Sequence, residues 1–155
     1  MRALFIDIDG VFNSTMHTSK IKIINKNFCM LIDLKLVKFI ETLIYLCKEH
    51  DVKMIISSSH ARGKSLTAWH RLTKTYLKLD TSNIIIYTDA HPSGARGLFI
   101  KNTISKFDIS DYLVLDDDIY DITPYIESNY MIRANRKTGL NKQQIIYICE
   151  WILKK

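Results

Sequence analysis

The chain has 155 residues, 47% of them hydrophobic and 25% charged, and a formal net charge of +6. This balance is that of a single globular domain over residues 1–155 and excludes a disordered or low-complexity protein. No apolar run approaches the roughly 20 residues that cross a bilayer, and Asp7 and Asp9 interrupt the first one, so we predict neither a membrane span nor a signal peptide. We therefore expect a soluble, cytoplasmic protein.

The positive charge indicates an anionic partner. The isoelectric point is near 9.2, and a net positive field raises the local concentration of phosphates and nucleic acids. Lysines that only keep the surface soluble are the simpler alternative. The three cysteines form no CxxC pair, so neither a disulfide framework nor a zinc site is predicted.

The hydrophobic pattern predicts five strands that alternate with helices along the chain. The strands are expected at residues 3–8, 53–57, 83–87, 112–115 and 130–133. The helices are expected at 34–49, at 64–79, at 97–106 and from Asn141 onward, where Asn141 is the N-cap and Gln144 completes a capping box. Residues 13–33, which mix lysines with Phe28 and Met30, are a candidate small lid.

This alternation predicts an α/β fold, with a doubly wound, mostly parallel five-stranded sheet and helices on both faces. In such folds the ligand binds beyond the carboxyl ends of the strands, near the point where the strand order reverses. The residues that directly follow each predicted strand are therefore the first candidates for a functional site.

Polar side chains of complementary types lie at or beyond the ends of four of the five predicted strands. Acids follow the first and fourth strands, hydroxyls follow the second, and cations follow the third. These residues are Asp7 and Asp9, then Ser57 and Ser58, then Arg96 and Lys101, then Asp116, Asp117 and Asp118, with Asp121 nearby. Chance would scatter these residue types among the strand ends, so we expect them to form one site.

Carboxylates from two strand ends form an all-oxygen site of the kind that holds Mg²⁺. Such a metal would offset the repulsion between Asp7 and Asp9, which otherwise makes it unfavourable to ionise both. One aspartate could then attack phosphorus while a second carboxylate protonates the leaving group, and hydroxyls and a cation would bind the phosphoryl oxygens. The alternative is that Asp9-Gly10 only begins a turn.

The motifs carry a family resemblance over nearly the whole chain. The stretch "FIDIDGVFN" resembles the first motif of the haloacid dehalogenase superfamily, and the serines, the basic residue and the later acids are similar to its other three motifs in the same order. In finer detail, "IISSSHARG", "LVLDDD" and the late "TGL" resemble the haloacid dehalogenase domain of Swiss Army Knife RNA repair proteins. No insertion is large enough for a full cap, so a minimal cap or none is expected.

The resemblance implies roles for the acids. Asp7 would be the nucleophile, and Asp9 would be the general acid and base, with its backbone carbonyl on the metal. Asp116 or Asp117 would complete the Mg²⁺ site, and the run of acids leaves both registers open. Metal ligands are thus expected among Asp7, Asp9, Asp116 and Asp117.

The resemblance also implies a phosphate-binding set. Ser57 would bind the transferred phosphoryl group, and Ser58 would assist. The basic position falls on Arg96 or Lys101. Lys101 is the residue type that most of the superfamily uses, but Arg96 lies nearer the usual spacing and is favoured.

The implied function is that of a Mg²⁺-dependent phosphomonoesterase that forms an aspartyl-phosphate. Its substrate would be a phosphorylated small molecule, such as a nucleotide, or the terminal phosphate of a nucleic acid. The alternative is a module of the same fold that binds nucleotides or nucleic acid without hydrolysing them. A basic loop with Arg133, Arg136 and Lys137 would contact the substrate or only solvate the surface.

Overall fold

The architecture follows from a computed structural model, which describes residues 1–25, 28–58, 84–86 and 95–154. The strands are β1 (Arg2–Ile6), β2 (Lys20–Asn25), β3 (Phe28–Asp33), β4 (Val52–Ile56), β5 (Ile84–Ile86), β6 (Asp111–Asp116) and β7 (Met131–Arg133). The helices are α1 (Val37–Glu49), α2 (Arg96–Lys106) and α3 (Lys142–Leu153), with short 3₁₀ turns at Leu34–Leu36 and Ser128–Tyr130.

Five of the strands form one sheet in the order β5-β4-β1-β6-β7. Every neighbouring pair in this sheet is parallel. β1 is central, because Ile6 pairs with Ile56 of β4 on one side and with Leu115 of β6 on the other. The sequence runs outward from β1 in one direction and then in the other, so the order reverses between β1 and β6. The predicted doubly wound α/β fold is confirmed.

The central strand is apolar throughout because both faces of the sheet are covered. Leu4 and Ile6 point into a core cluster that includes residues of α1 and α3. Ala3 and Phe5 alternate with them and point into a second cluster that includes Ile100 of α2. This two-residue alternation between two buried faces explains why β1 reads as a continuous hydrophobic run.

The segment that we identified as a candidate lid contains a β-hairpin. β2 and β3 pair antiparallel and form a separate two-stranded sheet. The alternation in "KIKI" at the start of β2 is a strand signal that our sequence interpretation did not use. That this hairpin covers the site stays a prediction.

The other predicted elements agree with the structure to within a few residues at each end, and the capping box is present. Asn141 accepts a hydrogen bond from the backbone of Gln144, whose side chain accepts one from the backbone of Asn141, each at 2.9 Å. The predicted helix at 64–79 lies outside the described residues. No described helix combines the length and hydrophobicity that a bilayer crossing requires.

Candidate active site

The site lies at the carboxyl edge of the sheet, where β1 sits between β4 and β6. Asp7 directly follows β1, and its backbone N–H donates to Leu115 of β6 at 2.9 Å. Ser57 directly follows β4, and its backbone N–H donates to Ile6 of β1 at 2.9 Å. The ladder therefore continues one residue past the strands, and it places Asp7 next to the ends of both neighbours.

Three buried carboxylates converge at this edge. Asp7, Asp116 and Asp117 are 6%, 0% and 7% exposed, and one oxygen from each lies within 4.8 Å of the others. Burial raises the pKa of Asp7, although a hydrogen bond from Ser58 and the charge of Arg96 oppose the shift. Burial, reinforced by the charge of Asp7, raises the pKa of Asp116 to about 7. A hard cation bound here would favour the charged carboxylates and so lower the pKa of both groups.

Arg96, the first residue of α2, brings a positive charge next to Asp7 and Asp116. Its Nη1 lies 3.2 Å from Asp7 Oδ2 and 2.6 Å from Asp116 Oδ2. The opposite edge of the guanidinium is held by Asp121, through Nε at 3.1 Å and Nη2 at 3.0 Å. The planar guanidinium of arginine donates from two edges, so one side chain binds Asp7 and Asp116 on one edge and Asp121 on the other. A lysine ammonium does not have two such edges.

Lys101, the other candidate for the basic position, lies five residues further along α2 and is exposed. The structure therefore brings Arg96, rather than Lys101, into contact with the carboxylates of Asp7 and Asp116. The assignment of either residue to a phosphate stays a prediction.

Gly97 allows the start of α2 to approach the turn that carries Asp121. A Cβ at Gly97 would lie 2.7 Å from Ile122 Cα and 2.8 Å from the carbonyl oxygen of Asp121, both of them backbone atoms. The N–H of Gly97 donates to that same carbonyl at 3.2 Å. The close approach explains why a glycine follows Arg96.

Gly10 has a comparable role beside Asp117. Its φ is +75°, and a Cβ there would lie 2.2 Å from Asp117 Cγ. Only glycine satisfies the backbone conformation and leaves room for the carboxylate. The glycine that follows Asp9 in the sequence is thus explained by the position of the buried acid at the end of β6.

Asp9 is half-buried and belongs to a different set of contacts from the three clustered acids. Asn13 donates from Nδ2 to Asp9 Oδ1 at 2.7 Å, and its own Oδ1 accepts from Lys20 Nζ. Because lysine only donates, it determines which end of the Asn13 amide faces Asp9. The amide thus presents an N–H to the carboxylate for which the resemblance implies the role of general acid and base.

The root of the β2–β3 hairpin fixes the position of Lys20. Asp33, at the end of β3, is fully buried, and its Oδ1 lies 3.8 Å from Lys20 Nζ. Ser14 donates to Asp33 Oδ2 from its backbone at 3.1 Å and from its hydroxyl at 2.6 Å. A continuous chain of polar contacts therefore runs from the hairpin to Asp9.

The two predicted serines are both buried at the end of β4. The Ser57 hydroxyl is buried without a hydrogen-bond partner in the described structure. A buried hydroxyl of this kind carries a desolvation cost that a bound acceptor would remove. The Ser58 hydroxyl bonds to Asp7 and favours its ionised form.

Several contacts of the site were not predicted from the sequence. Arg136 Nε lies 3.1 Å from Asp117 Oδ2, and Arg133 Nε donates to the carbonyl of Asp117 at 3.3 Å. The pairing of Asn13 with Asp9 and of Asp121 with Arg96 was also not predicted. Each of these contacts involves at least one residue in a loop or turn or at the end of an element, and no residue spacing in the sequence distinguishes such residues from ordinary polar residues of the surface.

The strand order, with an aspartate cluster where that order reverses, defines a domain of the haloacid dehalogenase superfamily, a class of phosphatases and related hydrolases. Residues 3–145 match the family model described as the HAD domain in Swiss Army Knife RNA repair proteins, and the chain belongs to this family. The resemblance inferred from the motifs is thereby confirmed. No curated protein matches the chain.

Proposed function

We propose that the protein is a Mg²⁺-dependent phosphomonoesterase that forms an aspartyl-phosphate on Asp7. The observation that carries this proposal is the convergence of Asp7, Asp116 and Asp117, buried and within 4.8 Å of one another, at the end of the central strand. A purely structural role would not favour a third acid beside Asp7 and Asp116, whose burial already disfavours their charged forms.

The donor set fits Mg²⁺. It consists of carboxylate oxygens, the ligand type that this hard cation prefers. Asp7 would hold the ion together with Asp116 or Asp117 and the backbone carbonyl of Asp9. When bound, the ion would neutralise charge on the carboxylates and on the phosphoryl oxygens.

Asp7 and Asp9 would divide the covalent chemistry between them. In the first step a carboxylate oxygen of Asp7 forms a bond to phosphorus, the bond from phosphorus to the ester oxygen breaks, and Asp9 gives its proton to that oxygen. In the second step Asp9 takes a proton from water, the water oxygen bonds to phosphorus, and Asp7 leaves as a carboxylate. The N–H that Asn13 donates to Asp9 would keep this carboxyl in place through both steps.

Three side chains would hold the transferred phosphoryl group. Ser57 has a buried hydroxyl that finds no other described partner, and Arg96 already reaches the Asp7 oxygen. Ser58 would assist from its position beside Asp7. Donors fixed around the phosphoryl oxygens favour the transition state, in which charge on these oxygens develops.

The proposed substrate is a nucleotide or the terminal phosphate of a nucleic acid. The net charge of +6 favours such anions, and the description of the family names RNA repair proteins. The basic residues Arg133 and Arg136 contact Asp117 and are exposed beside the acid cluster.

The test is phosphate release from nitrophenyl phosphate, nucleotides, sugar phosphates and end-phosphorylated oligonucleotides, with and without Mg²⁺. We expect Mg²⁺-dependent release by the wild type and none by Asp7→Asn. Asp51→Asn changes an exposed acid that is not part of the site. It is the matched control and should behave as the wild type. Undiminished turnover by Asp7→Asn, or binding of nucleotides without hydrolysis of any ester, would overturn the proposal in favour of a binding module.

A further inference from the structure

A cleft of about 620 Å³ lies directly beside the acid cluster. Its size is within the range of small-molecule sites. Its lining includes Asp117, Tyr120, Arg133, Asn135, Arg136 and Lys137. Asp117 and Asp118 thus contribute acids to the lining, while Arg133, Arg136 and Lys137 contribute cations and Tyr120 an aromatic ring.

The basic residues of the cleft present exposed positive charge next to Asp117 of the acid cluster. Arg136 Nε contacts Asp117 Oδ2 at 3.1 Å, yet 70% of the Arg136 side chain is exposed. Lys137 is exposed next to it. An exposed ion pair of this kind holds a guanidinium only weakly, so the remaining donors of Arg136 are available to an anion in the cleft.

The backbone of this loop is fixed, so its cations are presented from a rigid support. The carbonyls of Arg136 and Lys137 each accept a hydrogen bond at 3.0 Å, from the backbones of Thr15 and Met16. From within the loop, Asn135 Oδ1 accepts from the backbone of Lys137 at 2.9 Å. Binding an anion here would therefore order only side chains, which lowers the entropic cost.

Tyr120 adds an aromatic surface to the cleft. Its side chain is 76% exposed, and the Arg133 guanidinium lies 5.6 Å from its ring centroid. A large aromatic side chain exposed in a cleft rather than packed in the core is a stacking surface of the kind that single-stranded nucleic acids use.

We propose that this cleft is the subsite for the leaving group and that it takes a nucleotide unit with a second phosphate. Arg136 and Lys137 would bind that second phosphate, and Tyr120 would stack on the base. The inference rests on the proposed function and deepens it, because it names what the leaving group carries. A nucleoside bisphosphate and the end of a single-stranded oligonucleotide share this chemistry.

The main test compares substrates within each variant. We expect Arg136→Gln to lower kcat/KM for an end-phosphorylated oligonucleotide about tenfold more than for nitrophenyl phosphate, which has no second anion. Lys38→Gln removes a charge from a side chain that is 93% exposed on α1. It should leave unchanged the ratio of kcat/KM for the oligonucleotide to kcat/KM for nitrophenyl phosphate. The slope of log KM against log salt for the oligonucleotide should also fall by about one in Arg136→Gln.

The aromatic contact has its own pair of variants. Tyr120→Leu should lower the same ratio, whereas Tyr120→Phe, which keeps the ring, should not. If these variants lower kcat/KM for a nucleoside 3′,5′-bisphosphate as much as for the oligonucleotide, the ligand is a single nucleotide. If they lower kcat/KM for the oligonucleotide alone, the ligand is the chain end.

The subsite and the proposed function fail in different ways. Equal losses on nitrophenyl phosphate and on the oligonucleotide in Arg136→Gln would overturn the subsite while the phosphatase activity stands. If the wild type hydrolyses neither, the proposed function fails. Direct binding of the phosphorylated oligonucleotide by Asp7→Asn then tests the subsite alone, and an affinity unaltered by adding Arg136→Gln would overturn it.

Discussion

At the level of single residues, the acid cluster has a clear effect on the pKa of Asp116. It is fully buried, and its neighbours are the carboxylate of Asp7 and the guanidinium of Arg96. Burial and the charge of Asp7 raise its pKa to about 7 despite the hydrogen bond from Arg96. A carboxyl whose pKa is raised by folding stabilises the folded state while it is protonated, and this contribution is lost as the pH rises through the folded pKa.

Asp116→Asn should therefore change how stability depends on pH in the metal-free protein. Between pH 5 and about pH 7 the unfolded wild type has released the Asp116 proton that the folded protein still holds, so the free energy of unfolding falls as the pH rises, whereas the amide has no such step. We expect the wild type to lose several degrees more in melting temperature than the variant over this interval, measured in a chelator. A difference in melting temperature that is constant over this pH range would contradict the assigned environment of Asp116.

The sequence predicted those site residues that directly follow strands. Asp7, Ser57 and Asp116 could be placed because apolar runs mark where parallel strands end, and their carboxyl ends meet at one edge. The contacts of Asn13, Asp121 and Arg136 could not be predicted, because they depend on loop paths that no periodicity encodes. Which acids of the run join the cluster also needed the structure, which selects Asp116 and Asp117.

At the level of elements, the junction of α2 with the turn that follows β6 determines where Arg96 lies. A Cβ on Gly97 would collide with backbone atoms of Asp121 and Ile122, which do not move as a side-chain tip would. The start of α2 would have to shift, and Arg96 would lose its anchor on Asp121.

We expect Gly97→Ala to lower the free energy of unfolding by about 1–3 kcal/mol and to reduce kcat at least tenfold. Thermal unfolding and nitrophenyl phosphate turnover would measure both. Asn102→Ala, on an exposed position of the same helix, is the control and should alter neither. If Gly97→Ala resembles that control, the close approach does not position Arg96.

The hairpin is the second element with a direct connection to the chemistry. Lys20 contacts Asn13 and Ser14 and lies 3.8 Å from buried Asp33, so it both orients the Asn13 amide and pairs with a buried charge. Through Asn13 this arrangement reaches Asp9, the proposed acid and base.

Lys20→Met should lower kcat about 10-fold to 100-fold with a smaller effect on KM, because Asp9 acts on the transition state. Lys20→Arg, which keeps a donor and the charge, should recover part of the loss. Lys38→Met is the control for removing a lysine at an exposed position. Steady-state kinetics in which Lys20→Met matches Lys38→Met would show that the hairpin root does not position Asp9.

The fold of the main sheet was easier to predict than this hairpin. An apolar run marks β1 in the sequence, and amphipathic patterns mark α1 and α3. These patterns arise because burial on one or both faces requires apolar residues there. The hairpin forms a separate two-stranded sheet, and its segment was interpreted as a candidate lid without use of its strand signal.

At the level of the whole molecule, metal binding and folding should be coupled. The cluster of Asp7, Asp116 and Asp117 exists only when β1 and β6 are paired, so Mg²⁺ would bind the folded chain and not the unfolded one. If Asp116 is the acid that holds the ion, it must release its proton to bind, and the apparent affinity should weaken as the pH falls below about 7.

We expect saturating Mg²⁺ to raise the melting temperature by several degrees, which corresponds to about 2.7 kcal/mol at one hundred times the dissociation constant. Titrations by thermal shift at pH 6 and pH 8 would give the affinity at each pH. Asp116→Asn should respond less than the wild type. An affinity that is the same at both pH values, or a response that is unchanged in Asp116→Asn, would show that Asp116 is not a ligand of the ion.

The most direct test of the central claim is to trap the covalent intermediate on Asp7. In Asp9→Asn, nitrophenyl phosphate should still phosphorylate Asp7, because nitrophenolate leaves without a proton, while the loss of the base slows hydrolysis of the intermediate. Acid quenching, borohydride reduction and peptide mass spectrometry should then find the side chain at position 7 reduced to an alcohol, and find no reduction when Asp7→Asn is added. Turnover by the wild type with no modification at Asp7 in the trapped variant would contradict the mechanism.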